Sequence, residues 1–119
     1  MAVGKILDTL REKGLIDNTL IIFTSDHGEM LQDKGYYSKE LAYEGSVRVP
    51  LLLRYPKRLA GGRKIGGFVD SFDLLPTCLD VCGLAYPDGE LRGESLFRLA
   101  EKNDREFQFS LPAWDTGAG

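Results

Sequence analysis

The chain has 119 residues, 43% of them hydrophobic and 28% charged, and a formal net charge of −3. That length and balance fit one small globular domain. No basic stripe is available to displace counterions from phosphates, which argues against a nucleic-acid partner. No apolar stretch approaches the roughly 20 residues needed to span a bilayer.

In chain order, Val3, Ile6, Leu7 and Leu10 fall at i, i+3, i+4 and i+7, one face of an amphipathic helix. The spacing is helical rather than the long apolar stretch of a signal peptide. Gly14 suits a left-handed C-cap, with Leu15 placed for the accompanying apolar contact. Ile16, Asp17 and Asn18 turn the chain into an apolar run, Thr19 to Phe23, whose β-branched content predicts a buried strand over 19–24. Helix, turn and strand read as half of a βαβ crossover and place the chain in the α/β class. Gly28 to Gly45 is polar and aromatic with no sustained period, a long connection of the kind associated with function. A second strand is expected over Val47 to Leu53, with Pro50 at an edge, end or bulge because it cannot donate to a ladder. Lys64 to Val69 reads as a third strand. Asp70 to Gly83 reads as a helix with Asp73 as N-cap, Pro76 in the first turn and Gly83 as terminator. Leu75, Cys78, Leu79 and Cys82 would form its buried face, with the two cysteines acting as small hydrophobes. Turn signals follow at Pro87-Asp88-Gly89.

The chemistry concentrates where the first strand ends. Thr24-Ser-Asp-His-Gly-Glu29 changes abruptly from oily residues to a carboxylate and the single imidazole of the chain. In open α/β sheets, ligands bind beyond the carboxyl ends of strands. Asp26 is a hard oxygen donor suited to calcium or magnesium. His27 is a nitrogen donor better matched to zinc, manganese or iron. Consecutive side chains on a strand point apart, so both reach one ion only if the backbone turns, which Gly28 permits. The alternatives are an Asx-turn aspartate closing the strand and a part-buried imidazole satisfied by hydrogen bonds.

Four ordered blocks carry a resemblance: DNTLIIFTSDHGEML at 17–31, YSKELAYEGSVRVPLLLRYP at 37–56, VDSFDLLPTCLDVCGL at 69–84 and GESL at 93–96. Together they resemble the later part of the type I sulfatase domain, in the alkaline-phosphatase-like superfamily. The resemblance implies a fragment of an alkaline-phosphatase-like sheet with flanking helices. Residues 1–97 would be the C-terminal part of a sulfatase domain and 98–119 a partly irregular tail. It implies hydrolysis of sulfate esters with a divalent metal, usually calcium, and a formylglycine nucleophile made from a Cys/Ser-x-Pro-x-Arg motif. Carried over, Asp26 and His27 match the metal pair and Lys39 the lysine that contacts the sulfate. Outside the resemblance, Lys39 reads as an ordinary solvated lysine, and Lys34 competes for its role.

Neither Cys78 nor Cys82 is followed by the proline and arginine of the activation motif, and no Ser-x-Pro-x-Arg occurs. Gln32-Asp-Lys-Gly35 stands where the family often has a Gly-Asp-His-Gly block. The catalytic nucleophile is therefore expected in a missing N-terminal part, and the isolated chain is expected to be inactive. Glu44 and Arg48 read as an ion pair holding the loop to the sheet, and Asp70 and Asp73 as helix-start carboxylates. Uncovered sheet edges and apolar faces imply self-association. Two other functions stay open. One is a phosphodiesterase, phosphonate monoester hydrolase or phosphoethanolamine transferase of the same superfamily; the other is a non-catalytic α/β interaction fragment.

Overall fold

The computed structural model describes residues 2–86, 89 and 91–102. Helix α1 (Ala2–Glu12) leads through a 3-10 turn (Ile16–Asn18) into strand β1 (Ile21–Phe23). A long connection carrying a second 3-10 turn (Asp33–Gly35) reaches the short helix α2 (Glu44–Val47) and strand β2 (Leu52–Arg54). A third 3-10 turn (Ser71–Asp73) runs into α3 (Leu74–Cys82), and α4 (Leu96–Lys102) follows. No helix among the described residues is long and apolar enough to cross a membrane.

The two glycine caps form as their spacing predicts. Gly14 has φ +66°, and the N–H groups of Leu15 and Gly14 donate to Leu10 O at 2.8 Å and Arg11 O at 2.9 Å. Gly83 repeats the pattern at φ +67°, with Leu84 on Leu79 O at 2.9 Å and Gly83 on Asp80 O at 3.2 Å. Both are Schellman ends, which require the left-handed backbone that glycine adopts without a Cβ penalty.

The sheet is smaller than the sequence suggests. β1 pairs antiparallel with β2, with Ile21 opposite Arg54, Ile22 opposite Leu53 and Phe23 opposite Leu52. Residues 47–51 do not join it. Val47 belongs to the helical turn of α2, and Pro50 has no N–H to offer, so pairing starts at Leu52. Residues 64–69 do not form the expected strand either, since Gly67 at φ +113° breaks the extended run. Arg54 anchors the sheet to the preceding turn through Ile16 O at 2.5 Å and Asp17 Oδ1 at 2.6 Å. The strand expected to be buried is only partly covered, and Phe23 is exposed. α1 has no buried residue, and its Ile6 is 61% exposed.

The packed part lies elsewhere. Among the described residues Met30, Leu96, Phe97, Leu99 and Ala100 are buried, as is Pro76. The ring of Tyr55 meets Phe97 edge-on at 5.9 Å, and the Arg58 guanidinium covers the same ring at 4.5 Å. α3 turns the opposite face to α4 from the one expected. Pro76 and Thr77 are buried, while Leu75, Cys78 and Cys82 are exposed. The reason is polar rather than apolar complementarity. Thr77 Oγ1 donates to Asp73 O at 2.6 Å and accepts Leu96 N–H at 2.9 Å. Ser95 Oγ donates to Asp80 Oδ2 at 2.5 Å, and Arg58 pairs with Asp80 Oδ1 at 2.8 Å.

The N-cap also moves by three residues. Asp70 Oδ1 accepts Phe72 N–H at 2.8 Å and Asp73 Oδ2 accepts Asp70 N–H at 3.0 Å, a reciprocal capping box around the 3-10 turn. Asp73 is wholly buried, and its other oxygen takes Glu94 N–H at 2.9 Å. Gly93 lies against this turn so closely that a Cβ would sit 2.1 Å from Phe72 O. α4 continues through residue 98, where the tail was expected to begin, and residues 103–119 of that tail lie outside the described residues.

Candidate active site

β1 ends at Phe23, and the chain bends at Asp26. Ser25 Oγ donates to His27 O at 2.8 Å, closing the bend across two residues. His27 N–H donates to Asp26 Oδ1 at 3.0 Å. That bond holds the Asp26 carboxyl below its ordinary value, outweighing what desolvation adds in the other direction. The carboxylate is therefore ionised at neutral pH.

His27 Nδ1 lies 2.7 Å from Gly28 O. A carbonyl only accepts, so Nδ1 carries the proton. Nε2 then faces outward, 3.5 Å from Asp26 Oδ2. Each residue commits one polar atom to holding the bend and points the other at a shared space. Two donors each about 2.4 Å from one calcium ion, at right angles, sit about 3.4 Å apart. The observed separation is compatible with one cation between them. A histidine whose second nitrogen donates to a backbone carbonyl is also the arrangement that orients metal-ligating imidazoles. Both groups are accessible, with side chains 83% and 39% exposed for Asp26 and His27. Among the described residues no group of three or more His, Cys, Asp or Glu side chains gathers to hold a metal.

Gly28 serves the bend differently from the expectation. Its backbone is not left-handed; it lies so close to α2 that a Cβ would meet Gly45 O at 2.0 Å. Its N–H donates to Ser46 O at 2.7 Å. The bend is thereby pressed backbone to backbone against the start of α2.

Asp26, His27 and Lys39 line one cavity of about 720 Å³, with Glu44, Arg48, Asp70 and Ser71 also at its wall. That volume suits a small organic ligand. Lys34, the competitor for Lys39, is turned away, its Nζ 4.1 Å over the Tyr43 ring. Glu44 and Arg48 pair at 3.1 Å, but within one turn of α2 and well exposed, so the pair does not tie loop to sheet. Residues 67–69, expected in a strand, contribute Gly67, Phe68 and Val69 to the wall instead. Ser46, buried behind Lys39, carried no sequence signal, since a serine after a glycine has no periodicity to expose it.

A family model described as Sulfatase matches residues 1–84. The chain belongs to the sulfatase family. It is 37% identical over 115 residues to arylsulfatase K of Mus musculus, covering 94% of this chain and 20% of that protein. It is 35% identical over 103 residues to the N-acetylglucosamine-6-O-sulfatase of Bacteroides thetaiotaomicron, covering 87% of this chain and 18% of that one. A solved structure in complex with its substrate D-glucosamine-2-N,6-O-disulfate superposes with a TM-score of 0.80 at 31% identity, covering 93% of this chain and 24% of that chain. The phosphonate monoester hydrolase of Agrobacterium radiobacter superposes at 0.76 with 40% identity, covering 87% and 20%. The sulfatase chain described here thus spans about a fifth of the length of the curated relatives it matches. The similarity to these structures bears out the alkaline-phosphatase-like fold and the fragment expected from the sequence.

Proposed function

We propose that this chain supplies the cation-binding and sulfate-contacting part of a sulfatase active site that hydrolyses sulfate esters. Asp26 and His27 would hold a divalent cation, Lys39 would contact the sulfate, and calcium is the cation we assign. The observation that carries the reading is the 3.5 Å approach of Asp26 Oδ2 to His27 Nε2 at the wall of a cavity that Lys39 also lines. That separation leaves room for one cation shared by an imidazole nitrogen and a carboxylate oxygen.

When bound, a divalent cation polarises a sulfate oxygen as a Lewis acid. The chain's own groups do the rest of what is assigned here. The bend of residues 25–28 fixes the two donors, and the Lys39 ammonium offsets charge on a sulfate oxygen or on the leaving group. The family uses a formylglycine nucleophile, and no Cys/Ser-x-Pro-x-Arg motif occurs in these 119 residues. Accordingly, an aryl sulfate offered to this chain alone should show no turnover above buffer.

Isothermal titration with calcium tests the cation site. Wild-type chain should bind, and Asp26→Ala and His27→Ala should each weaken binding at least tenfold. Binding that is equal in all three would overturn the assignment. Parallel titrations with manganese and zinc test the identity of the ion, since an imidazole donor favours them over calcium.

The phosphonate monoester hydrolase likeness, at TM-scores of 0.74 and 0.76, supports a second reading in which the ester is a phosphonate. Side-by-side turnover of an aryl sulfate and an aryl phosphonate by the enzyme that carries this chain separates the two.

A further inference from the structure

Ser46 is 2% exposed, and its hydroxyl donates to Lys39 O at 2.5 Å, across seven residues. Its own carbonyl accepts Gly28 N–H at 2.7 Å. One residue therefore touches both halves of the site, the bend that carries Asp26 and His27 and the segment that carries Lys39. The contact on the Gly28 side has no slack, because a Cβ on Gly28 would lie 2.0 Å from Gly45 O and 3.1 Å from Ser46 O. Met30, 1% exposed, backs Gly45, with its Sδ 3.3 Å from where a Cβ would be.

On the Lys39 side the chain is irregular, and residues 31–40 are all exposed. Ser38 is held by Met30 N–H on its carbonyl at 3.0 Å and by the Glu29 carboxylate on its N–H. The Ser46 bond fixes the next carbonyl along. A lysine reaches its target on a flexible four-carbon stem, so the place of its charge is only as well defined as its backbone. Alanine would fill the same pocket as Ser46 without needing a buried hydroxyl satisfied.

We propose that Ser46 is a positioning residue that tethers the Lys39 backbone to the cation-binding bend, setting the distance between the cation and the sulfate-contacting ammonium. This rests on the reading of Lys39 given above. Displacing a reacting or binding group by about 1 Å costs on the order of a hundredfold in rate, which gives such a tether its value.

The test uses the 119-residue chain, isotopically labelled and calcium-loaded, followed by NMR. Backbone order parameters come first, without sulfate. Ser46→Ala should lower them at residues 38–41, and Ser46→Thr should restore them. Gly28 N–H protection and calcium affinity should stay within twofold, since that contact uses the main-chain carbonyl of Ser46. Unchanged order at 38–41 in Ser46→Ala overturns the tether. Titration with sodium sulfate follows. Ser46→Ala should bind about tenfold more weakly, and the same change on a Lys39→Ala background should cost nothing further. An equal loss on both backgrounds means Ser46 acts on the fold at large and overturns the proposal. Sulfate affinity unaltered by Lys39→Ala alone instead overturns the reading of the lysine, an outcome recognisable whatever Ser46 does.

Discussion

Asp73 and Asp26 each stand beside a tight turn, and their surroundings could hardly differ more. Asp73 is wholly buried, and its two oxygens accept the N–H groups of Asp70 and Glu94 at 3.0 and 2.9 Å. Asp26 is largely exposed; one oxygen takes His27 N–H and the other faces the His27 ring. At Asp73 acceptor capacity goes into joining segments 21 residues apart. At Asp26 the second oxygen faces the His27 ring, at the wall of a cavity. The α3–α4 region turns its polar groups on one another and on Arg58, whereas the end of β1 leaves a carboxylate and an imidazole exposed at the wall of a cavity. If that distinction is right, substitutions in the first region should move stability and leave ion binding alone, and substitutions in the second should do the reverse.

The largest stability effect is expected for Asp73→Ala. Two part-buried N–H groups lose their acceptor, each at roughly 1–3 kcal/mol, so urea denaturation should show a loss of about 3 kcal/mol with calcium affinity within twofold. A midpoint like that of the wild type would erase the contrast with Asp26. Gly93→Ala should cost about 2 kcal/mol, because the new methyl meets Phe72 O and Asp73 N, which are backbone and cannot swing aside. Thr77→Val keeps the volume but strips Leu96 N–H of its partner, for about 1.5 kcal/mol in the same measurement.

Acid sharpens the comparison further. Burial pushes the Asp80 carboxyl up, but the hydrogen bonds from Ser95 and Arg58, with the charges of Arg58 and Arg98, outweigh it and hold the group below its ordinary value of 3.8. With a native value beneath the unfolded one, the unfolded chain binds protons first as pH falls. The stabilisation is complete above the ordinary value and disappears as pH drops through the native one. Denaturation midpoints between pH 7 and pH 3 should therefore fall more steeply at the acid end for wild type than for Asp80→Asn. Equal slopes would mean the Arg58–Asp80–Ser95 cluster adds nothing through its charge.

Local features of this division were legible in the sequence, and those set at a distance were not. Gly14 and Gly83 end helices through bonds to residues three to five positions back, so spacing alone reveals them. The Asp26–His27 bend is equally local, closed by Ser25. The covered face of α3 is not legible, because periodicity separates two faces of a helix without saying which is covered. Here Thr77 is covered by Leu96 N–H and Asp80 by Ser95, partners 19 and 15 residues away. The choice of Asp70 over Asp73 as cap had the same origin, since Asp73 is also drawn into the Glu94 contact. The run at 64–69 has strand composition, yet a ladder needs a partner, and Gly67 bends it out of line. Lys39 could be singled out only through the block around it, because an exposed lysine has no pattern of its own.

The smallest change in stability is expected where the largest change in binding is. Asp26→Asn preserves the shape of the side chain, and its amide oxygen can still take His27 N–H, so the bend should persist. Little of the residue is buried, and nothing in the packed region of α3 and α4 touches it among the bonds described. The melting temperature in the absence of metal should match wild type. Adding calcium should then raise the melting point of wild type, since a ligand that binds only the folded state stabilises it by mass action, and leave Asp26→Asn where it was. A calcium-induced rise of equal size in both would place the ion elsewhere on the chain. A melting point already lowered in the metal-free variant would show that Asp26 is a structural carboxylate like Asp73, and the contrast between the two regions would fail at its more exposed end.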